Sequence, residues 1–212
     1  MMSDLLTSLP PGALMMLAAF PLVLVPHHAR QVVMLLAIAG SAFSLTAGAG
    51  QHLNIEMLGF EMSLYRADHL SLPFAIVFHI AAALNVFYGW HERKATDHVA
   101  GLSYAGAAIA ALHAGDLVTL FIWWEATAVT SVFLILASGT QRARRAAMRY
   151  LIVQVASGVL LLAGAAMLYS ESGSLAFAGM TLGSTGTWMI FIAFGIKAAF
   201  PLLNGWLQDA YP

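Results

Sequence analysis

No cysteine occurs anywhere in the 212 residues, and Asp, Glu, Lys and Arg together make up only 9% of them. The first absence excludes disulfides and thiolate metal sites and leaves the redox compartment unread. The second is far from the ~25% charge of a soluble domain, and 60% of the chain is hydrophobic, with a mean hydropathy of +0.81. A net charge of −1 offers no basic face for nucleic acid. The phosphate-binding patterns G-x-x-x-x-G-K-[ST] and G-x-G-x-x-G, a hydrolase serine elbow and an H-E-x-x-H zinc pair are all missing. The opening "MMSDLLTSLPPG" has no basic residue and carries Asp4, so it does not read as a cleaved signal peptide.

What is present is a set of apolar runs of roughly 17 to 24 residues, enough to cross a ~30 Å hydrocarbon core. The sequence predicts an all-α polytopic bundle of about seven spans. They are Gly12 to Val25 (with an earlier start near Leu5), Gln31 to Gly50, Leu70 to Trp90, His98 to Ala114, Leu117 to Ser138, Ala146 to Tyr169 and Thr185 to Leu203. Between spans two and three, "QHLNIEMLGFEMSLYRAD" alternates Leu53, Ile55, Met57 and then Phe60, Met62, Leu64 around Gly59, which predicts a short hairpin outside the bilayer. "GTQRARRAAMR" reads as a basic loop before span six. An N-terminal transmembrane hairpin and external loop over 1–69 are expected to precede the further spans over 70–212, and no internal repeat is evident.

Lys and Arg placement sets an expected orientation. Loops on the N-terminal side hold only Arg66, whereas the other side holds Arg30, Arg93, Lys94, Arg142, Arg144, Arg145 and Arg149. The second side is then cytoplasmic in a cell (inner) membrane, with the N-terminus outside and the C-terminus inside.

Only Glu125 and Lys197 lie well within spans. At 1.5 Å per residue they fall about 13 Å and about 18 Å from the outer side, both near the midplane. Ionisable groups at that depth are functional by default, and opposite signs at one depth suggest a pair or a shared proton. A static bridge that fixes packing is the plainer reading. Four residues after Lys197, Pro201 has no N–H to continue the helix, and Asn204 and Gly205 loosen the next turn; broken membrane helices are used at ion sites.

The remaining polar positions are secondary. Asp116 begins span five, where a carboxylate suits the positive helix end, and Asp68 is placed to cap span three. His79 and His113 read either as hydrogen-bonded core or as relay groups. Trp90, Tyr150, Tyr169 and Trp206 fit interfacial belts, and Asn85 and Gln154 fit bonds between helices. The other histidines make no metal site, and no cofactor is expected.

Four stretches in order, "YRADHLSLPFAIVFHIAAALNVFYG", "HAGDLVTLFIWWEATAVTSVFLI", "RRAAMRYLIVQVASGVLLLAG" and "FGIKAAFPLLNGWLQDAYP", resemble the antiporter-like membrane subunits shared by Mrp-type Na+/H+ antiporters and NADH:quinone oxidoreductase (complex I), nearest to the D-type member of the Mrp branch. The resemblance covers roughly residues 60 to 212. It puts Glu125 at the family's fifth-helix glutamate and Lys197 at the lysine of its broken seventh helix, a pair implicated there in proton movement along a hydrated axis. It implies other membrane subunits as partners, protons or Na+ as cargo, and the lipid bilayer as surroundings. Asn204 departs from the family's usual His or Gln. Family members carry two inverted repeats, so by resemblance the chain corresponds to the N-terminal half only, as a fragment, a truncated product or one piece of a split subunit. Two other readings stand beside this one: a non-transporting scaffold fragment, and a seven-helix retinal protein with its Schiff base on Lys197.

Overall fold

The computed structural model describes residues 10–50, 52–57, 59–177 and 180–210. The stretch before Pro10, where the first span was expected to start, lies outside them. The chain divides into two compact units, Met1–Ala114 and Gly115–Pro212.

In the first unit, α1 (Ala13–Ala19) runs into a 3-10 turn (Phe20–Val23) that takes Pro21 at its start, where a missing N–H costs nothing. Then come α2 (His27–Phe43), strands β1 (His52–Met57) and β2 (Phe60–Arg66), α3 (Ser71–Tyr88) and α4 (Ala95–Leu112). The expected hairpin is present: β1 and β2 pair antiparallel from Met57↔Phe60 to His52↔Arg66, with an irregularity between Leu53 and Asn54. Gly59, at φ 80, supplies the left-handed backbone its turn requires. Met15, Leu22, Met34, Ile38, Val86, Leu102 and Ile109 form the unit's apolar core. α1 and α4 touch through Gly12 and Gly106, where a Cβ on either would enter the other's backbone; small residues allow this close approach between membrane helices. Arg30, expected as a topology anchor, also has local work. Its Nε donates to Leu22 O (3.1 Å) and Val25 O (2.9 Å), closing the turn between α1 and α2.

Asp68 caps α3 as expected. Its Oδ1 accepts from Leu70 N (3.0 Å) and Ser71 N (2.7 Å), and Arg66 lies 3.5 Å from Oδ2. The Ser71 N–H bond, with help from the Leu70 N–H and the Arg66 charge, holds the carboxyl below the usual aspartate range. A folded-state pKa below the unfolded one stabilises above the unfolded value, ~3.9, and that contribution disappears as pH falls through the folded value. Because Asp68 is partly exposed, the cap is worth no more than about 1 kcal/mol. The gap in thermal stability between wild type and Asp68→Ala should be constant above about pH 5 and close below about pH 4. A gap that widens on acidification contradicts the capping role.

The second unit holds α5 (Leu117–Leu136), α6 (Gln141–Ser172), α7 (Thr185–Lys197) and a short α8 (Gly205–Ala210). The basic stretch expected as a loop is instead the start of α6, a helix of 32 residues and about 48 Å. Ala and Arg are good helix formers, no Gly or Pro interrupts them, and the Thr140 hydroxyl accepts from Ala143 N to cap the first turn. Along α6, Met148, Ile152, Val155, Val159 and Leu162 are exposed, whereas Tyr150, Gln154, Ser157, Gly158, Leu161 and Ala165 are buried. This inverted amphipathicity, with apolar residues outward and small or polar ones inward, fits a lipid-facing helix. α6 and α7 approach through Gly164 and Gly186, each of which would have its Cβ against the other's carbonyl.

Among the described residues, four helical stretches are long and apolar enough to cross a membrane: His27–Ala47, Ser71–Tyr88, Leu117–Leu136 and Gln141–Ser172. The seven-span expectation is therefore met in part. Ala13–Val23 and Thr185–Lys197 are apolar but short, and α4 begins with Asp97 and His98 among small residues.

Candidate functional site

The break after Lys197 organises the second unit's polar interior. α7 ends there because Pro201 cannot donate to the next turn. The closure is a Schellman motif: Ala199 N donates to Ile196 O (3.1 Å) and Phe200 N to Gly195 O (2.9 Å). The left-handed residue is Ala199, at φ 54, rather than the usual glycine, and Leu202 at φ 73 makes a second left-handed turn. Such positions strain a side-chain-bearing residue. Trp206, expected in an interfacial belt, reaches back instead. Its Nε1–H donates to Ile196 O (3.0 Å), and its ring packs edge-on against buried Tyr150 at 5.5 Å. Arg149 and Asp209 pair at 2.8 Å and fasten α8 to α6. Asn204 stands at the start of α8, with its carbonyl accepting from Leu207 N (3.0 Å).

Held at this break, the Lys197 ammonium enters a seat on α5. Nζ donates to Trp124 O (3.2 Å) and to Thr127 Oγ1 (3.0 Å), and lies 4.9 Å from the centre of the Trp124 ring. A cation over an indole face gains attraction without a counter-charge. The Trp124 indole is itself fixed by Nε1–H donation to Ser157 Oγ (3.1 Å) and by edge-on contact with Phe194 at 5.0 Å.

Glu125 lies on the same stretch of α5. Its carboxylate rests against Gly158 of α6, which has no side chain to obstruct it. Oε1 is buried and has no hydrogen-bond partner among the described residues. Glu125 and Lys197 interact electrostatically, but no carboxylate–ammonium contact within 4.0 Å joins them among the described residues. Glu125 and Lys197 thus lie within electrostatic reach of each other without a direct ion pair; the ammonium is held by neutral groups, and Glu125 Oε1 by none among the described residues.

The secondary residues fall elsewhere. Asp116 caps α5: Oδ1 accepts from Val118 N (2.9 Å) and Thr119 N (2.8 Å), and Oδ2 from Thr119 Oγ1 (2.7 Å). His79 and His113 belong to the first unit. A chain of bonds runs from Gly12 N–H to Ser41 Oγ and from Ser41 to His79 Nε2, each 2.8 Å, while His79 Nδ1 meets Ala75 O at 2.7 Å. His113 Nδ1 meets Ile109 O at 2.9 Å, its ring lies 5.5 Å from that of Tyr65, and its carbonyl accepts from Arg66 N at 2.8 Å. No cluster of three metal-ligating side chains occurs among the described residues.

Trp124, Thr127, Ser157 and Gly158 were not singled out in the sequence. Trp124 and Thr127 flank Glu125, so their proximity was available; that they hold Lys197 depends on where α7 is broken. Gln154, expected to bond between helices, has neither carboxamide atom partnered among the described residues although it is fully buried.

Comparison with known proteins agrees with this architecture. Residues 114–212 match the family model described as "NADH:quinone oxidoreductase/Mrp antiporter, TM". The chain is 28% identical over 169 residues to NAD(P)H-quinone oxidoreductase chain 4 1 of Synechococcus sp., covering 74% of this chain and 32% of that one. It is 25% identical over 131 residues to the D-type Na(+)/H(+) antiporter subunit of Bacillus subtilis, covering 57% and 27%. The chain thus spans about a third of the length of the curated relatives it matches. Its fold aligns with a chain of the membrane-bound sulfane sulfur reductase, an archaeal respiratory membrane complex, with TM-score 0.80 at 21% identity, over 96% of this chain and 36% of that one. With a family match over the segment that carries Glu125 and Lys197, and apolar helices long enough to cross a bilayer, the chain is an antiporter-like integral membrane polypeptide whose residues 114–212 match the NADH:quinone oxidoreductase/Mrp antiporter transmembrane family.

Proposed function

We propose that this chain forms part of a proton or Na+/H+ translocating membrane subunit within a multisubunit complex, and that Glu125 and Lys197 are a proton-exchanging pair in a hydrated path. The observation that carries the reading is the open pair. Lys197 is drawn to Trp124 O and Thr127 Oγ1, while Glu125 is half-buried with its Oε1 enclosed and unpartnered among the described residues. A closed ion pair would hold both charges fixed. An open one leaves each within the influence of the other, so a small movement at the break after Lys197 changes which partner the ammonium faces and which group keeps a proton. In this reading seven segments cross the cell membrane, the Arg-rich side is cytoplasmic, and the redox or ion-coupling chemistry resides in partner subunits.

The test is proton movement by the assembled complex in liposomes, followed with a pH-sensitive dye. Glu125→Gln keeps the shape and removes the titratable proton. It should slow translocation by about a hundredfold or more, the low end of what a positioned proton-transfer group contributes. Unchanged translocation in an assembled Glu125→Gln complex sinks the reading and favours a scaffold.

A further inference from the structure

Three polar groups of the second unit are unfinished in complementary ways. The Lys197 ammonium has three N–H donors, and two are placed, on Trp124 O and Thr127 Oγ1. Glu125 Oε1 is an acceptor with no donor, and the Gln154 carboxamide, 0% exposed, has both its oxygen and its nitrogen unpartnered among the described residues. A buried amide left bare is costly, and native interiors rarely keep one.

The register of α5 against α6 puts these groups at one level. Trp124 Nε1 bonds Ser157 Oγ, and Gly158 faces Glu125 and Phe121. The two helices run antiparallel, so one turn back along α6 from Gly158 corresponds to one turn forward along α5 from Trp124. That places Gln154 opposite the turn of Thr127 and Ala128, beside the seat of the Lys197 ammonium. Ser157 sits between, its Oγ donating to Gln154 O (2.9 Å), which directs that hydroxyl to the backbone and away from the carboxamide. The carboxamide alone in this group offers both an unused donor and an unused acceptor, since the Ser157 and Thr127 hydroxyls already donate and accept. A buried water is stable where two to four polar partners surround it, about three being typical.

We propose that Gln154 is a positioning residue that holds the water joining the Lys197 ammonium to the Glu125 carboxylate. Its Oε1 accepts from a water that takes the free Lys197 N–H, and its Nε2 donates to the water that in turn donates to Glu125. The inference rests on the proposed ion path, and adds to it the group that keeps the gap between the two charges hydrated.

The experiment uses the full complex in liposomes, with Gln154→Leu and Gln154→Met as two apolar replacements and Gln154→Asn as the conservative one. Two readouts are taken: translocation, and the infrared carboxyl signal of Glu125, assigned by its loss in Glu125→Gln. Each apolar variant that assembles should translocate about tenfold more slowly, the rate equivalent of one hydrogen bond. Each should also shift the Glu125 signal, and Gln154→Asn should recover part of both. Where Glu125→Gln slows translocation, wild-type translocation in either apolar variant overturns the proposal; an unmoved Glu125 signal in both overturns it in every case, because any slowing is then packing alone. If Glu125→Gln translocates normally while Gln154→Leu still shifts the signal, the ion path falls and the water site stands.

Discussion

Lys197→Ala should abolish translocation by the assembled complex, to about a hundredth of wild type or less, the scale on which a positioned proton-transfer group acts. It is the only Lys or Arg within the described apolar helices of the second unit beyond the basic start of α6. Its removal leaves Trp124 O and Thr127 Oγ1 without their cation, and Glu125 without an opposite charge nearby. Lys197→Arg should retain measurable activity, because the charge survives, but not full activity: a planar guanidinium does not fit a seat of one carbonyl, one hydroxyl and an indole face as a compact ammonium does. Stability should move the other way. A partly buried cation with no carboxylate in contact is expensive to hold, so Lys197→Ala should leave the thermal midpoint unchanged or raise it. A fall in the midpoint together with retained translocation would identify the lysine as a packing element.

Gly158→Ala is expected to separate activity from stability even more clearly. A Cβ at this position meets the Glu125 carboxylate, with Cδ at 2.8 Å and Phe121 Cε2 at 3.4 Å. The obstructed atoms are the far end of a flexible side chain, so the helices need not part; the carboxylate must swing away. Replacing Gly by Ala inside a helix gains up to about 1 kcal/mol in propensity, which offsets the rearrangement. The midpoint of unfolding should therefore change little, while translocation falls by about a hundredfold, since a misplacement near 1 Å can cost that much. Gly164→Ala makes the contrast. There the Cβ meets the Gly186 carbonyl at 2.7 Å and the Ile190 backbone N at 3.1 Å, groups that cannot step aside. That variant should lose stability and assembly first. If Gly158→Ala translocates normally, the carboxylate position is not what the reaction depends on.

The membrane setting, the hairpin, the caps at Asp68 and Asp116, and the presence of two ionisable groups, Glu125 and Lys197, inside apolar helices were all legible in the one-dimensional pattern. Each follows from local physics: alternation at period two for the strands, a carboxylate two or three residues before the bare N–H groups of a helix start for the caps, and the cost of charge in hydrocarbon for Glu125 and Lys197. The helical start of α6 was equally local, and was misread because a cluster of arginines suggests a loop, whereas Ala and Arg favour helix. Pro201 announced the break in α7 for the same reason.

What no local rule contains is which atoms meet. Trp206 folds back to cap Ile196 because two left-handed residues, Ala199 and Leu202, reverse the chain after the break. Lys197 rests on Thr127, seventy positions away in sequence, rather than on Glu125. Gly158 is a small residue in a helix full of small residues until α5 is packed against it and a carboxylate is found at its face. Chain periodicity and the cost of solvation assign residues to interior or surface one helix at a time. The partner of a buried charge depends on the register and depth of separate helices, set by close packing through glycines and by the strained turn after Lys197, and those are properties of the assembled bundle alone.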